Sequence, residues 1–497
     1  MKLRYFCWGL FLILWLGFAM PASAAETAEP RLLHTINRLS YGLRPGELEQ
    51  IKTLGIDRYL QAQLQPETIP ENPTLLNQLN QLETLNKSPA QLYQDTRPQN
   101  SPGRRPTPAE QTAAREKENQ ILSQAITARL LRANSSNRQL QEVLTNFWFN
   151  HLNVFANKSL TTIWTGAYEQ QAIRPHILGK FRQLLGATAH HPAMLFYLDN
   201  WQNSAPNPAG ARGRFQGLNE NYARELMELH TLGVDGGYSQ TDVITLAKIF
   251  TGWGFPPRGR NGDQGREDYG FYFDPQRHDR SNKVFLGQTI PGGGMEEGEK
   301  ALDILAKHPA TARHISYKLA QYFVADEPPG SLVDRLAQNF LETDGDLGQL
   351  TATLIRSPEF NDPQFHQRKF KTPYEYVISV TRAVGVTAGN WQVLRGFLTQ
   401  MGMPVYGCLT PDGYRQTQAA WLSPDAITRR INLATVFTGG RSPLSPENAS
   451  TPVAVDVTRL ANTLGNNFSS QTQATIAASP PNLRAALLLG SPEFMYR

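Results

Sequence analysis

Leu218-Asn219-Glu220-Asn221-Tyr222-Ala223-Arg224-Glu225-Leu226-Met227-Glu228-Leu229-His230-Thr231-Leu232-Gly233 carries its own start and stop chemistry. Asn219 is an N-cap residue, Glu220 suits the positive end of a helix, and Gly233 is a natural C′ stop, so the stretch reads as a helix of about three turns. At about 100° per residue, Glu220, Asn221, Arg224, Glu225 and Glu228 share a sector about 140° wide. Tyr222, Ala223, Leu226, Met227 and Leu229 fill the opposite side, and His230 falls with them.

The same grammar recurs outward from this segment. Thr372-Pro373-Tyr374-Glu375 is a capping box with proline at the first helical position. Ser423-Pro424-Asp425 opens a helix in a similar way, and Ser239 with Asp242 opens one running to Phe250. Arg44-Pro45-Gly46-Glu47 starts a short helix that Gly55 ends, and Asp57 to Leu64 forms another. A long helix is expected from about Glu110 to Ala133, and a further one from about Asn137 into Phe147-Trp148-Phe149. The fold class is therefore mainly α, a large multi-helix body. The exception is a small β-hairpin insertion around residues 269–290, where Tyr269 to Asp274 and Lys283 to Ile290 are short aromatic or branched runs flanking a polar loop. Leu354-Ile355-Arg356-Ser357-Pro358-Glu359-Phe360 is echoed by Leu488-Leu489-Gly490-Ser491-Pro492-Glu493-Phe494, which reads as a reused helix stop with its phenylalanine tucked into the core.

Residues 1–24 form a separate object. Lys2 and Arg4 precede an apolar run from Tyr5 to Ala19, then Pro21 and the small triplet Ala22-Ser23-Ala24. This is the pattern of a secretory signal peptide cleaved after Ala24, since the run is shorter than the roughly 20 residues that a bilayer requires. Residues 25–497 are expected to form one large helical domain, exported to the periplasm or the extracellular space, with no membrane segment after cleavage. A mobile loop is expected at 95–111 and long loops at 202–217 and 255–282. Loss of Cys7 leaves Cys408 alone, so no intramolecular disulfide can form. Against 43 acidic residues stand 48 scattered Lys and Arg, clustered only in pairs such as Arg104-Arg105 and Arg429-Arg430, so neither a nucleic-acid groove nor a polybasic membrane patch is indicated.

The chain lacks a His-Glu-x-x-His helix, a phosphate loop, a Gly-x-Ser-x-Gly elbow and a haem-attachment motif. Its densest polar constellation is the 219–230 helix, framed by Pro/Gly-rich loops that return to Arg277-His278-Asp279. Glu220 with Arg224 and Arg224 with Glu228 are ordinary i,i+4 pairs. Equally, His278 and Asp279 folded back onto Glu225 and Glu228 would supply a nitrogen and three carboxylates, the donor set of a divalent metal or an acid–base site. Lys369 and Lys371, just before a helix start, stand where an anion gathers.

These blocks resemble the exported bacterial family catalogued as domain of unknown function 1800. The matching stretches are Arg38-Leu39-Ser40-Tyr41-Gly42, the Phe147 to His151 block, Leu218 to Gly237, His278-Asp279 with Lys283, Lys371-Thr372-Pro373, Arg382-Ala383 and Trp421-Leu422. The resemblance implies a mainly helical exported protein with no settled activity. It also implies a genomic association with a second exported family resembling alkaline phosphatases and sulfatases, and hence a phosphatase- or sulfatase-like partner.

Two functions of different class follow. The first is a hydrolase-type enzyme with its site on the 219–230 helix and the 274–283 loop. There Arg224, Glu225, Glu228, His278 and Asp279 would be catalytic, and Asn219, Glu220, Asn221, Lys283 and Lys371 would hold substrate. The second is a non-catalytic helical binding or accessory protein for an exported partner, in which the same charges form a network that fixes helix packing.

Overall fold

The computed structural model describes residues 22–96, 106–206, 217–255, 270–387, 389–439, 444 and 455–497. Residues 1–21, which include the whole apolar run of the expected signal peptide, lie outside these. So do the central parts of the expected loops, residues 97–105, 207–216 and 256–269. The described chain begins inside a helix, Ala22–Leu39.

Side-chain oxygens set the helix starts. Thr107, Ser239 and Thr372 accept from the amides of Glu110, Asp242 and Glu375, each at 3.3 Å. Those three acidic side chains reach back to the amides of Thr107, Ser239 and Thr372 at 2.7, 2.9 and 2.8 Å. The helices so opened are Pro108–Ser135, Gln240–Ile249 and Pro373–Ala383. Each cap stabilises its helix by about 0.5–2 kcal/mol because it pairs first-turn donors that have no intrahelical partner.

Every residue of Pro373–Ala383 is buried, as befits the central helix of a bundle. Pro108–Ser135, Gln392–Gln400 and Pro424–Thr438 pack around it. Its polar groups are paired with distant chain. Arg382 donates to Gly42 O at 2.7 Å, to Asn134 O at 2.6 Å and to Glu47 at 2.9 Å, while Glu375 meets Arg497 at 2.9 Å and accepts from the Tyr322 hydroxyl at 3.1 Å. One continuous apolar cluster runs from Leu39 to Met495, with a smaller one around Leu33, Ile36, Leu43, Leu48, Ile51 and Tyr59. The two echoed motifs behave alike: Ser357 caps Pro358–Asn361 and Ser491 caps Pro492–Met495, with Phe360 and Phe494 buried.

Among the described residues the strands form two antiparallel pairs. A hairpin does lie within 269–290, but its strands are Lys283–Phe285 and Gln288–Ile290. Leu286 and Gly287, at φ 47° and 75°, make the two-residue turn whose twist suits a hairpin. Tyr272–Phe273 pairs instead with Trp253–Gly254. The expected pairing of 269–274 with 283–290 is thus replaced by a tighter local turn and a longer-range contact. No helix among the described residues is long and apolar enough to cross a membrane.

Candidate functional site

The 219–233 segment is helical but not uniformly α. Asn221–Glu225 is α-helical, and Leu226–His230 widens into a π-helix, closed where the Gly233 amide, at φ +85°, donates to Met227 O at 3.2 Å. Single π turns inside helices occur often at functional sites. The partition of faces largely agrees with the sequence: Tyr222, Ala223, Leu226, Met227 and His230 are buried, while Leu229, expected on the same side, is only half-buried, and Arg224, Glu225 and Glu228 sit at the boundary with solvent.

Asn219 and Asn221 act as pins. Asn219 Oδ1 accepts from Asn221 N at 3.0 Å, the Asn219 amide donates to Asn203 Oδ1 at 2.9 Å, and Asn221 Nδ2 donates to Leu198 O at 3.2 Å. Arg224 pairs with Glu220 at 3.2 Å and Glu228 at 3.4 Å, and Gln240 closes the ladder by accepting from Arg224 and donating to Glu220, both at 2.8 Å. With Arg224 37 % exposed, these are the i,i+4 pairs of a solvated face.

His278 does not meet the carboxylates of this helix, and here the expected convergence is corrected. Its Nδ1 faces Thr251 O at 2.9 Å and its Nε2 faces Glu297 Oε1 at 3.0 Å. Lys283 Nζ donates to Glu297 Oε2 at 2.7 Å, to Ser281 O at 2.9 Å and to Asp279 O. Asp279 is engaged locally, accepting from the Ser281 amide at 2.9 Å while its own amide donates to Thr251 Oγ1 at 2.8 Å. Burial pushes the Glu297 carboxyl up, but hydrogen bonds from His278, Lys283 and the Gly293 amide outweigh it and hold the group below the ordinary range. The 278–283 loop is thus nailed to the Met295–Lys307 helix because Glu297, rather than Glu225 or Glu228, supplies the buried carboxylate. Among the described residues no group of three or more His, Cys, Asp or Glu side chains is arranged to hold a metal ion.

Lys371 does not serve a helix-bound anion either, since the Thr372–Glu375 box already fills that helix start. Its Nζ lies over the Phe494 ring, 4.1 Å from the centroid, while Lys369 is paired with Asp326.

A polar concavity lies elsewhere, where the Gln139–His151 and Pro309–Phe323 helices meet residues 403–417. It has a volume of about 270 Å³ and is lined by His151, Lys318, Gln321, Asp412, Tyr414 and Arg415, among others. A stripe of asparagines fastens its outer wall. Asn150 exchanges two hydrogen bonds with the Tyr414 backbone, at 2.9 and 2.8 Å, and Asn153 donates to Cys408 O at 3.1 Å and Thr410 O at 2.8 Å. Gly413, at φ +70°, passes so close that a Cβ there would collide with Asn150 O. Below it, Arg129 bridges Glu169 and Asn146 at 2.5 and 2.7 Å, Arg174 grips Glu142 at 2.7 and 3.0 Å, and the Tyr406 hydroxyl donates to Glu169 at 3.1 Å. Glu169 lies on the second π segment, Tyr168–Ile173.

Electrostatics sets this concavity apart. Burial, helped by His314, Lys318 and His230, holds His151 neutral well below the ordinary imidazole range. Burial likewise drives His230 down to about 3 and His314, with Lys318 beside it, to about 4. The His151 ring stands 5.9 Å from His314 and 6.4 Å from His230, centroid to centroid. Its Nε2 donates to His230 O at 3.2 Å, which leaves Nδ1 as the lone-pair nitrogen. Burial lowers the Lys318 amine against the pull of Asp412. Glu225 moves the other way: burial and the charges of Glu228 and Asp412 raise its carboxyl despite Arg224.

Of the sequence-predicted residues, Glu225 alone comes under the influence of this concavity. His151, Lys318 and Asp412, and the Asn150 and Asn153 fasteners, were missed. The legible signal was Asn146, Asn150 and Asn153 at helical spacing among Phe147, Trp148 and Phe149, polar amides in a segment that otherwise reads as core.

Neither the curated proteins nor the solved structures hold a match to this chain. A family match covers residues 34–496, nearly all of the described body and both polar nodes, and by it the chain belongs to the family described as Protein of unknown function (DUF1800).

Proposed function

We propose that the protein is a hydrolase-type enzyme whose acid–base chemistry runs in the concavity between the Gln139–His151 helix, the Pro309–Phe323 helix and residues 403–417. The observation that carries this reading is the opposed tuning of two groups near this concavity: burial and the charges of Glu228 and Asp412 raise the Glu225 carboxyl, while His151, which donates to the carbonyl of His230 on the π segment that follows Glu225, is kept neutral. A carboxyl whose proton is held more tightly than usual, paired with an imidazole kept neutral, is the combination that can deliver a proton to a leaving group while taking one from water. Lys318 and Arg415 would steady developing negative charge, and Asp412 at the mouth would orient the attacking water.

The exported setting belongs to this reading and is supported by the charge, apolar run and small-residue pattern of residues 1–24. A phosphatase- or sulfatase-like exported partner rests on the family resemblance. The accessory-protein alternative is favoured by one observation, the self-satisfied His278–Glu297–Lys283 node, which accounts for those residues without any ligand.

The test is turnover by the purified mature chain on glycans, carboxylic esters, phosphate esters and sulfate esters, repeated with Glu225→Gln and Asp412→Asn. Hydrolysis of one class, lost in both variants with the fold retained by circular dichroism, supports the enzyme. No turnover of any class, or unchanged turnover in both variants, overturns it.

A further inference from the structure

Lys371 is buried, 5 % exposed, in a part of the molecule that the proposed chemistry does not use. It lines a small cavity of about 40 Å³ with Asn37, Ser379, Glu493 and Phe494. At roughly 10–15 Å³ per water-sized guest, that is room for about three light atoms and not for a sugar or a nucleotide. Two polar side chains on this cavity are unmatched. Among the described residues no acceptor meets Lys371 Nζ, which lies on the face of Phe494, and the buried Ser379 Oγ has no hydrogen-bond partner.

The nearby carboxylates are engaged elsewhere. Glu493 accepts from the Ser469 amide at 2.9 Å and from Thr472 Oγ1 at 3.0 and 3.1 Å. Glu375 is held by Arg497 at 2.9 Å and by the Thr372 amide at 2.8 Å. Positive charge, in contrast, is in surplus: Arg430 Nη2 donates to Lys371 O at 2.6 Å, while its Nη1 is buried without an acceptor. A protonated Lys371 therefore has no carboxylate partner. Burial pushes the amine down to about 7, with Glu375 opposing and Arg430 and Arg497 adding to the depression.

We infer that Lys371 is a carbon dioxide acceptor, a buried amine that is converted to a carbamate in a cavity sized for a linear triatomic molecule. The neutral Nζ lone pair attacks the carbon of CO₂, an N–C bond forms as one C=O π pair moves onto oxygen, and one N–H proton leaves to solvent. Amine plus CO₂ gives carbamate plus a proton, with no change of oxidation state. The product turns an unpaired cation into an anion, which the charge of Arg430 favours, and it supplies the acceptor that Ser379 Oγ lacks on the cavity wall. Lys369, two residues away and already bound by Asp326 and by Gln416 O at 2.7 Å, is an internal control that should stay unmodified.

The experiment equilibrates the full chain with ¹³C-labelled bicarbonate near neutral pH and looks for a carbamate carbon resonance that disappears on acidification. The carbamate is then trapped as its alkyl ester with an oxonium reagent and located by peptide mass spectrometry. A single trapped adduct on Lys371, absent from Lys371→Arg and retained in Lys369→Arg, is the expected result. No carbamate on the folded wild-type chain at saturating bicarbonate, or an adduct on any other amine in place of Lys371, overturns the inference; both readings come from the wild type and do not depend on a variant folding.

Discussion

His278 Nε2 lies 3.0 Å from Glu297 Oε1, with side chains 0 % and 1 % exposed. The two residues are joined to Lys283 in a buried node that ties the hairpin region to the Met295–Lys307 helix. Removing one partner leaves an uncompensated charge in the interior. Glu297→Ala is expected to destabilise the fold by about 3–5 kcal/mol, read as a lower midpoint in denaturant. His278→Ala should act on stability in the same direction. A His278→Ala protein with unchanged stability but lost turnover would return this residue to the catalytic set.

Glu228 tunes Glu225. Its negative charge is one of the causes that raise the Glu225 carboxyl, second only to burial. An acid works while protonated, so turnover should fall as pH rises through the Glu225 pKa. Glu228→Gln removes a like charge and should move that descending limb of kcat/KM to lower pH. Glu225→Gln should abolish the limb and cost about 10²–10⁴-fold in rate. A limb that stays in place in Glu228→Gln assigns the proton to another group.

Gly413 is needed for its backbone. Its φ of +70° and its close approach to Asn150 O leave no space for a side chain. Gly413→Ala should push residues 403–417 off the asparagine stripe and cost about 1–3 kcal/mol through strain. It should also lower turnover at least tenfold, since a wall misplaced by about 1 Å can cost that much or more. Differential scanning calorimetry with kinetics would check both effects.

Acid should loosen the fold before carboxylates protonate. Burial pushes His191 and His230 down to about 3 and His314 to about 4, whereas the unfolded chain binds their protons near the ordinary value of 6.5. Between those limits the unfolded state holds more protons, so the stability from keeping these rings neutral is complete above about pH 6.5 and is lost as pH falls. Each ring contributes a slope of up to about 1.4 kcal/mol per pH unit in that window. Urea denaturation from pH 7 to pH 5 would show it. His230→Gln should flatten the slope, and a pH-independent midpoint would mean that the rings are already charged in the folded state.

Much of the architecture was readable because it is local. Thr372 reaches Glu375, Ser239 reaches Asp242, and the apolar side of the 219–230 segment is largely buried as its spacing predicts, since capping and face assignment act over one helical turn. The widening of Leu226–His230 to π was not readable. It depends on which carbonyl each amide selects once the segment is packed.

The sequence by itself determined that this chain is a helical body, where its helices begin, and which faces they bury, because those outcomes are decided by backbone hydrogen bonds and side chains within a few residues. Only the tertiary structure decided which polar groups meet. Glu297 displaced Glu225 and Glu228 as the partner of His278, and Asn150 found Tyr414 across 264 residues of chain. Long-range pairing follows from which buried donors and acceptors must satisfy one another once water is expelled, a condition that chain order does not encode.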